Sequence, residues 1–111
     1  MKLMLKIGDF SKQSLTTIKT LRYYEQEQLL LPAHIDPFTG YRYYETSQLL
    51  ELSKIISLRQ LGLSIEDIKD IMAGASLTSC LEKRKLVLEH ELVVSNMQLT
   101  RINNILENKT G

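Results

Sequence analysis

From Ser76 to Asn108 the chain runs thirty-three residues without a proline or a glycine, whereas both prolines and four of the five glycines precede it. Nothing in that stretch breaks a helix. Placing Leu81, Leu88, Ser95 and Ile102 at heptad position d puts Lys85, Leu92, Leu99 and Leu106 at a, so six of the eight seam positions are apolar. A helix of this length extends about 45 Å at about 1.5 Å per residue. The part of the chain before it is too small to cover such a seam, which calls for a second copy. Leu81, Leu88, Leu92, Leu99, Ile102 and Leu106 are the expected dimerisation residues. The alternative is packing on the same chain or on a further domain.

Composition narrows the class without naming a function. The 111 residues are 43% apolar and 24% charged, ordinary values for a folded globular chain. No apolar run approaches the roughly 18 residues of a membrane span, and Met1-Lys2-Leu3-Met4-Leu5-Lys6 is too short for a signal peptide. One cysteine, Cys80, excludes an internal disulfide and suits a cytoplasmic setting. The net charge of +1 hides an uneven spread. Residues 1–44 hold six Lys/Arg against four Asp/Glu, and residues 45–76 hold three against five. A basic N-terminal excess permits nucleic-acid binding without demanding it.

Before the long helix the pattern predicts four short helices and a hairpin. Residues 7–13 form the first, with Ile7 and Phe10 on one face. Thr16 or Thr17 caps the second, which runs to about Gln28 with Ile18 and Leu21 toward a core and Lys19, Thr20, Arg22 and Tyr23 on the opposite side. Two short helices joined by about three residues make a helix-turn-helix. Pro32 closes that unit. Asp36-Pro37-Phe38-Thr39-Gly40 then reads as a turn between two strands, a small two-stranded wing that must lean on the helices. Thr46 or Ser47 opens a third helix to Gln60, its apolar face built from Leu49, Leu52 and Ile56 and broadened by Leu50 and Ile55. Ser64, with Asp67 three positions on, starts a fourth helix whose inward stripe is Ile65, Ile68, Ile71 and Met72. The fold class expected is mainly α: a winged helix-turn-helix with a small β-hairpin wing over residues 5–74, then a long coiled-coil helix over residues 76–108.

All five tyrosines lie in two clusters, Leu21-Arg22-Tyr23-Tyr24-Glu25 and Gly40-Tyr41-Arg42-Tyr43-Tyr44, each with an arginine. Together with Ile7-Gly8-Asp9-Phe10-Ser11-Lys12, Thr17-Ile18-Lys19-Thr20, Leu29-Leu30-Leu31-Pro32 and the stretch Leu58 to Ile68, they give the chain a close resemblance to the MerR family of transcription regulators. The resemblance covers about residues 5–73. Over His34–Gln48 it is nearest to multidrug-responsive members. Two departures stand out. Leu15-Thr16 occupies the turn where the family often has Gly-Val, so a left-handed Leu15 would carry strain of about 1 kcal/mol. Gln28 replaces a common glycine, leaving that helix end with a poorer cap.

The resemblance implies that the second helix enters the major groove of promoter DNA while the wing holds flanking phosphates. Thr17, Lys19 and Thr20 then lie at a helix start that favours anions. Arg22 and Tyr23 lie one turn on, against the alternative of an Arg22 ion pair with Glu25 or Glu27; Tyr24 belongs to the core. In the wing Arg42 is the phosphate candidate, joined by Tyr43, and Tyr41 or Tyr43 buttresses the hairpin. Arg59 resembles a third phosphate anchor.

The resemblance also implies a homodimer, an antiparallel coiled coil, that distorts a palindromic promoter element for RNA polymerase. A small-molecule inducer would act through a domain absent from this chain. The alternative function is a DNA-bending or excisionase-like accessory protein; a protein-binding adaptor leaves the Arg-Tyr clusters unexplained. No catalytic constellation, cofactor motif or metal-ligand set is evident. Cys80 sits where metal-sensing relatives place a thiolate, yet no second cysteine accompanies it.

Overall fold

The computed structural model describes residues 3–110. They form two compact units divided between Ala75 and Ser76. In the first, β1 (Met4–Lys6) runs directly into α1 (Ile7–Ser14), followed by α2 (Ile18–Gln26), β2 (His34–Ile35), β3 (Arg42–Glu45), α3 (Gln48–Gln60) and α4 (Ile65–Met72). The second is the single helix α5 (Leu77–Thr110).

The sheet has three strands in the order β1-β3-β2, not the two of a simple hairpin. Both pairings are antiparallel: Leu5 lies opposite Tyr44, and His34 opposite Tyr43. The third strand answers the instability of an isolated hairpin, because it ties β3 by backbone hydrogen bonds to the residues that lead into α1. Three residues are too few for their alternation to have announced a strand.

The core collects Phe10 of α1, Leu21 and Tyr24 of α2, Leu30, Tyr44 of β3, Leu52 and Ile55 of α3, Leu63 and Ile68 of α4, all buried. Several apolar positions expected inside lie outside. Ile18 is 39% exposed, because Leu21 and Tyr24 carry the inward stripe of α2 and its first turn overhangs an open cleft. Leu50 is 67% exposed, two positions off the Gln48–Leu52–Ile55 row that α3 turns inward. In α4 only Ile68 is fully buried; Ile65 and Ile71 are half-buried and Met72 is exposed in the last turn.

Four helices end in the same way. At Leu15, Gln28, Gly62 and Gly74 the backbone takes positive φ, 55°, 58°, 84° and 108° respectively. At each, that residue's N–H bonds the carbonyl three back, and the next N–H bonds the carbonyl five before it. Leu15 N to Lys12 O is 3.4 Å and Thr16 N to Ser11 O 3.1 Å, while Gln28 N to Glu25 O is 3.0 Å and Leu29 N to Tyr24 O 2.8 Å. These are Schellman caps. Leu15 adopts the strained conformation anticipated from its sequence. Gln28, by contrast, does not leave its helix poorly capped. Both cap bonds form, α2 stops at Gln26, and the cost falls on the backbone of a residue with a Cβ.

In the second unit, Ser76 Oγ accepts from Ser79 N at 3.2 Å and caps α5. At about 1.5 Å per residue, its 34 residues extend about 50 Å. Leu88, Leu92, Leu99, Ile102 and Leu106 are all exposed, and Leu81 is half-buried. Leu86, Val93 and Met97 are exposed too, so the apolar surface of α5 is wider than a single seam. No helix among the described residues is long and apolar enough to cross a membrane.

Candidate nucleic-acid interface

The turn between α1 and α2 is built from hydroxyls. Ser11 Oγ donates to the Thr16 carbonyl at 2.6 Å, and the buried Thr16 donates its own hydroxyl to Ser14 O at 3.2 Å. Thr17 is the N-cap of α2: its Oγ1 accepts from Thr20 N at 3.1 Å and donates to Thr20 Oγ1 at 2.8 Å. One end of α2 is thereby fixed, and Lys19, Arg22 and Tyr23 project from its exposed side with Thr20 half-buried beside them. Tyr24, one residue after Tyr23, turns inward, and the two rings meet at 6.0 Å and 45°.

The wing turn is equally well specified. Asp36 Oδ1 accepts from Phe38 N at 2.8 Å and Thr39 N at 3.1 Å, Gly40 N returns to Asp36 O at 2.8 Å, and Asp36 N bonds Tyr41 O at 2.9 Å. The Thr39 and Phe38 amides hold the Asp36 carboxyl below its ordinary range. Gly40 supplies the positive φ at the exit, 75°. Lys6 Nζ lies 5.3 Å over the Tyr41 ring, a cation–π contact across the sheet, and Tyr43 faces His34 with ring centroids 6.0 Å apart.

Alternation along β3 puts Arg42 and Tyr44 on one face and Tyr41 and Tyr43 on the other. The inward face is that of Arg42 and Tyr44, so the buttress is Tyr44 rather than Tyr41 or Tyr43. Tyr44 is fully buried and stacks on Phe10 at 4.4 Å and 10°. Burial pushes its phenol pKa up, Glu25 adds to that, and Arg42 and Arg22 oppose it. On the same face, Arg42 Nε donates to Glu25 Oε1 at 2.5 Å and its Nη2 to Glu25 Oε2 at 3.1 Å. Glu25, weighed as a partner for Arg22, thus belongs to Arg42. Its hydrogen bond and then its charge hold the guanidinium more firmly protonated.

Between the wing, the start of α1 and the first turns of α2 lies an open cleft of about 410 Å³, lined among others by Lys6, Ile7, Ile18, Arg22, Tyr41 and Arg42. Three cations and one acid, Asp9, over a partly apolar floor leave a net positive lining that suits a sugar–phosphate chain. The cleft therefore brings Arg22 and Arg42 together. Lys6 joins them, although the sequence reading passed over it; its place just before α1 was the available signal. Thr17, Lys19, Thr20 and Tyr23 sit on α2 beside the cleft without lining it.

Arg59 lies elsewhere, in the last turn of α3, where its Nη1 donates to Leu63 O at 3.1 Å and secures the turn into α4. Gln48 was also overlooked. It is buried, its Oε1 accepts from Glu45 N at 2.8 Å and its Nε2 donates to Leu31 O at 2.7 Å, stitching the loop after α2 to the start of α3. Gln48 is the first residue of α3, and its side chain reaches back to the last residue of β3 and to the loop after α2, contacts that no local pattern announces. Cys80 is a half-buried free thiol on α5.

Residues 5–75 match the family described as MerR HTH family regulatory protein. The chain is 48% identical over 63 residues to the multidrug-efflux transporter 1 regulator of Bacillus subtilis (strain 168), covering 57% of this chain and 23% of that regulator. It is 33% identical over 89 residues to the HTH-type transcriptional regulator ZntR of Escherichia coli (strain K12), covering 78% and 62%. Among solved structures, EcmrR in its DNA complex within EcmrR-RPo superposes with a TM-score of 0.86 at 39% identity, over 96% of this chain and 40% of that one. This chain thus spans 23% to 62% of the length of these curated relatives. It belongs to the MerR HTH family of regulatory proteins.

Proposed function

We propose that this chain acts in transcription regulation by binding promoter DNA sequence-specifically as a homodimer. The observation that carries the reading is the placement of Lys19, Arg22 and Tyr23 on the exposed side of α2, with the cationic cleft of Lys6, Arg22 and Arg42 where that helix meets the wing. In this reading α2 lies in the major groove, with Thr17, Lys19, Thr20, Arg22 and Tyr23 at bases and phosphates. The wing, with Arg42 and Tyr43, flanks it, and Arg59 meets a further phosphate. The family match and the DNA complex of the related EcmrR support it.

The exposed leucines of α5 support pairing with a second copy through an antiparallel coiled coil. A symmetric dimer presents two recognition helices and so reads a palindromic element. Distorting that element costs several kcal/mol, which contacts from both halves offset. RNA polymerase is the partner of the distorted promoter. The seam on α5 argues against an accessory protein that only bends DNA.

Selection of bound duplexes from a random pool, followed by circular-permutation gel shifts, tests the proposal. Recovery of an inverted repeat whose mobility varies with the position of the site is expected. Equal affinity for all duplexes would overturn sequence-specific regulation.

A further inference from the structure

The Arg42–Glu25 fork is neutral as a pair and largely sheltered. Both guanidinium nitrogens on one edge of Arg42 are committed to both oxygens of Glu25, and the side chains are only 28% and 21% exposed. A phosphate drawn to Arg42 would meet the Glu25 carboxylate as well. Nη1 of Arg42 lies outside the fork, but a phosphate taken there has its attraction to the arginine offset by the neighbouring acid unless the charge-assisted bidentate pair opens. Lys6 and Arg22 face the same cleft, and among the described residues neither has a carboxylate within ion-pair distance.

The fork also occupies a mechanically special place. The sheet is bound to α1 in two ways, through the backbone continuity of β1 with α1 and through the Phe10–Tyr44 stack. Among the described residues, the hydrogen bonds that join the sheet to α2 are the two of this fork. Glu25 sits in the last turn of α2 and Arg42 at the start of β3, so the fork spans from helix to wing.

We propose that Glu25 and Arg42 form a strut that sets the wing at a fixed distance from the recognition helix. Arg42 is then a positioning residue, and Lys6 and Arg22 carry the phosphate charge in the cleft. This deepens the reading of the chain as DNA-binding and rests on it. A strut and a phosphate contact make opposite predictions. Losing either end of a strut costs the same, and losing both costs no more. Losing a phosphate contact lowers the slope of log K against log salt by about one.

The test measures anisotropy of a fluorescent duplex, recovered by the selection above, over a salt series with R42A, E25A, the double variant and the charge-reversed E25R/R42E pair. The strut predicts about tenfold weaker binding for each single variant and no further loss in the double. It also predicts an unchanged salt slope and recovery to within about threefold on charge reversal. If R42A proves unfolded by its thermal melt, R42K replaces it. A lysine keeps the charge but not the fork, so the strut predicts weakening with an unchanged slope, and wild-type binding by R42K overturns it. A slope lowered by about one in R42A, with E25A binding as well as wild type or better, also overturns the strut while leaving the DNA-binding reading intact. Failure of the wild-type chain to bind any duplex overturns both.

Discussion

Phe10 of α1 and Tyr44 of β3 stack ring on ring, 4.4 Å between centroids and 10° from parallel, both with no exposed surface. The contact joins the first helix of the helix-turn-helix to the centre strand of the wing. The helix-turn-helix and the wing therefore share one piece of core.

The stack accommodates the tyrosine ring better than its hydroxyl. Tyr44 Oη is buried and has no hydrogen-bond partner among the described residues. Leaving a buried hydroxyl unpaired costs about 1–3 kcal/mol, part of which a phenylalanine recovers without changing the ring. Tyr44→Phe is expected to be neutral or to raise stability by up to about 1 kcal/mol in urea unfolding, whereas Tyr44→Ala is expected to lose about 3–5 kcal/mol by opening a cavity. A loss above about 1 kcal/mol in Tyr44→Phe would show that the hydroxyl has a partner in solution.

The non-glycine caps offer a second test. Leu15 is 94% exposed and takes φ 55°, so its side chain contributes almost no packing while its Cβ strains the turn. Leu15→Gly removes a left-handed cost of about 1–2 kcal/mol and adds about 0.5–1 kcal/mol of unfolded-state entropy, a net gain of about 0.5 kcal/mol. Gln28→Gly is expected to behave likewise. Leu15→Ala keeps the Cβ and should gain nothing. Thermal melts that rank glycine at or below alanine at position 15 would remove the strain argument.

What the chain disclosed in advance follows from the range of the forces involved. Thr17 and Ser64 were legible as caps because an N-cap bond reaches only three residues, to Thr20 N and Asp67 N. Leu15 was legible through the family resemblance, because it stands where the family often has a glycine. The direction in which β3 faces was not legible. Alternation separates Tyr41 and Tyr43 from Arg42 and Tyr44, but only the partner surface, Phe10 and Glu25, decides which pair turns inward. The fork itself joins residues seventeen apart, beyond any local pattern. It is also why Arg42, a natural phosphate candidate by residue type, is held by an acid.

Acid should loosen the wing turn through Asp36. Its folded-state pKa lies below the ordinary 3.8 because the ionised carboxylate accepts from Thr39 N and Phe38 N. A depressed carboxyl contributes stability that is fully present above the unfolded value and is lost as pH falls through the folded one. The turn should therefore stay closed at neutral pH and open only below 3.8. Amide shifts of Phe38 and Thr39, followed by NMR on acidification, should titrate with a midpoint under 3.8. A midpoint at or above that value would mean the two amides do not favour the ionised form. Asp36→Ala should abolish the transition.

The exposed leucines of α5 make the strongest demand for a second copy. Leu92 and Leu99, both more than half exposed, lie seven residues apart at the same heptad position. Burying a leucine contributes about 1.5–3 kcal/mol, and in a two-fold dimer each position counts twice. The four contacts therefore amount to about 6–12 kcal/mol. Replacing both residues with aspartate removes that and sets like charges against each other across the seam. On the affinity scale of about 1.4 kcal/mol per tenfold, the change moves a nanomolar dimer well beyond micromolar. Sedimentation equilibrium should show the wild-type chain as a dimer and Leu92→Asp/Leu99→Asp as a monomer, with the Phe10–Tyr44 unit still folded by its aromatic circular dichroism. A variant that sediments as a dimer would place the pairing surface on another face of α5, where Leu86, Val93 and Met97 are also exposed.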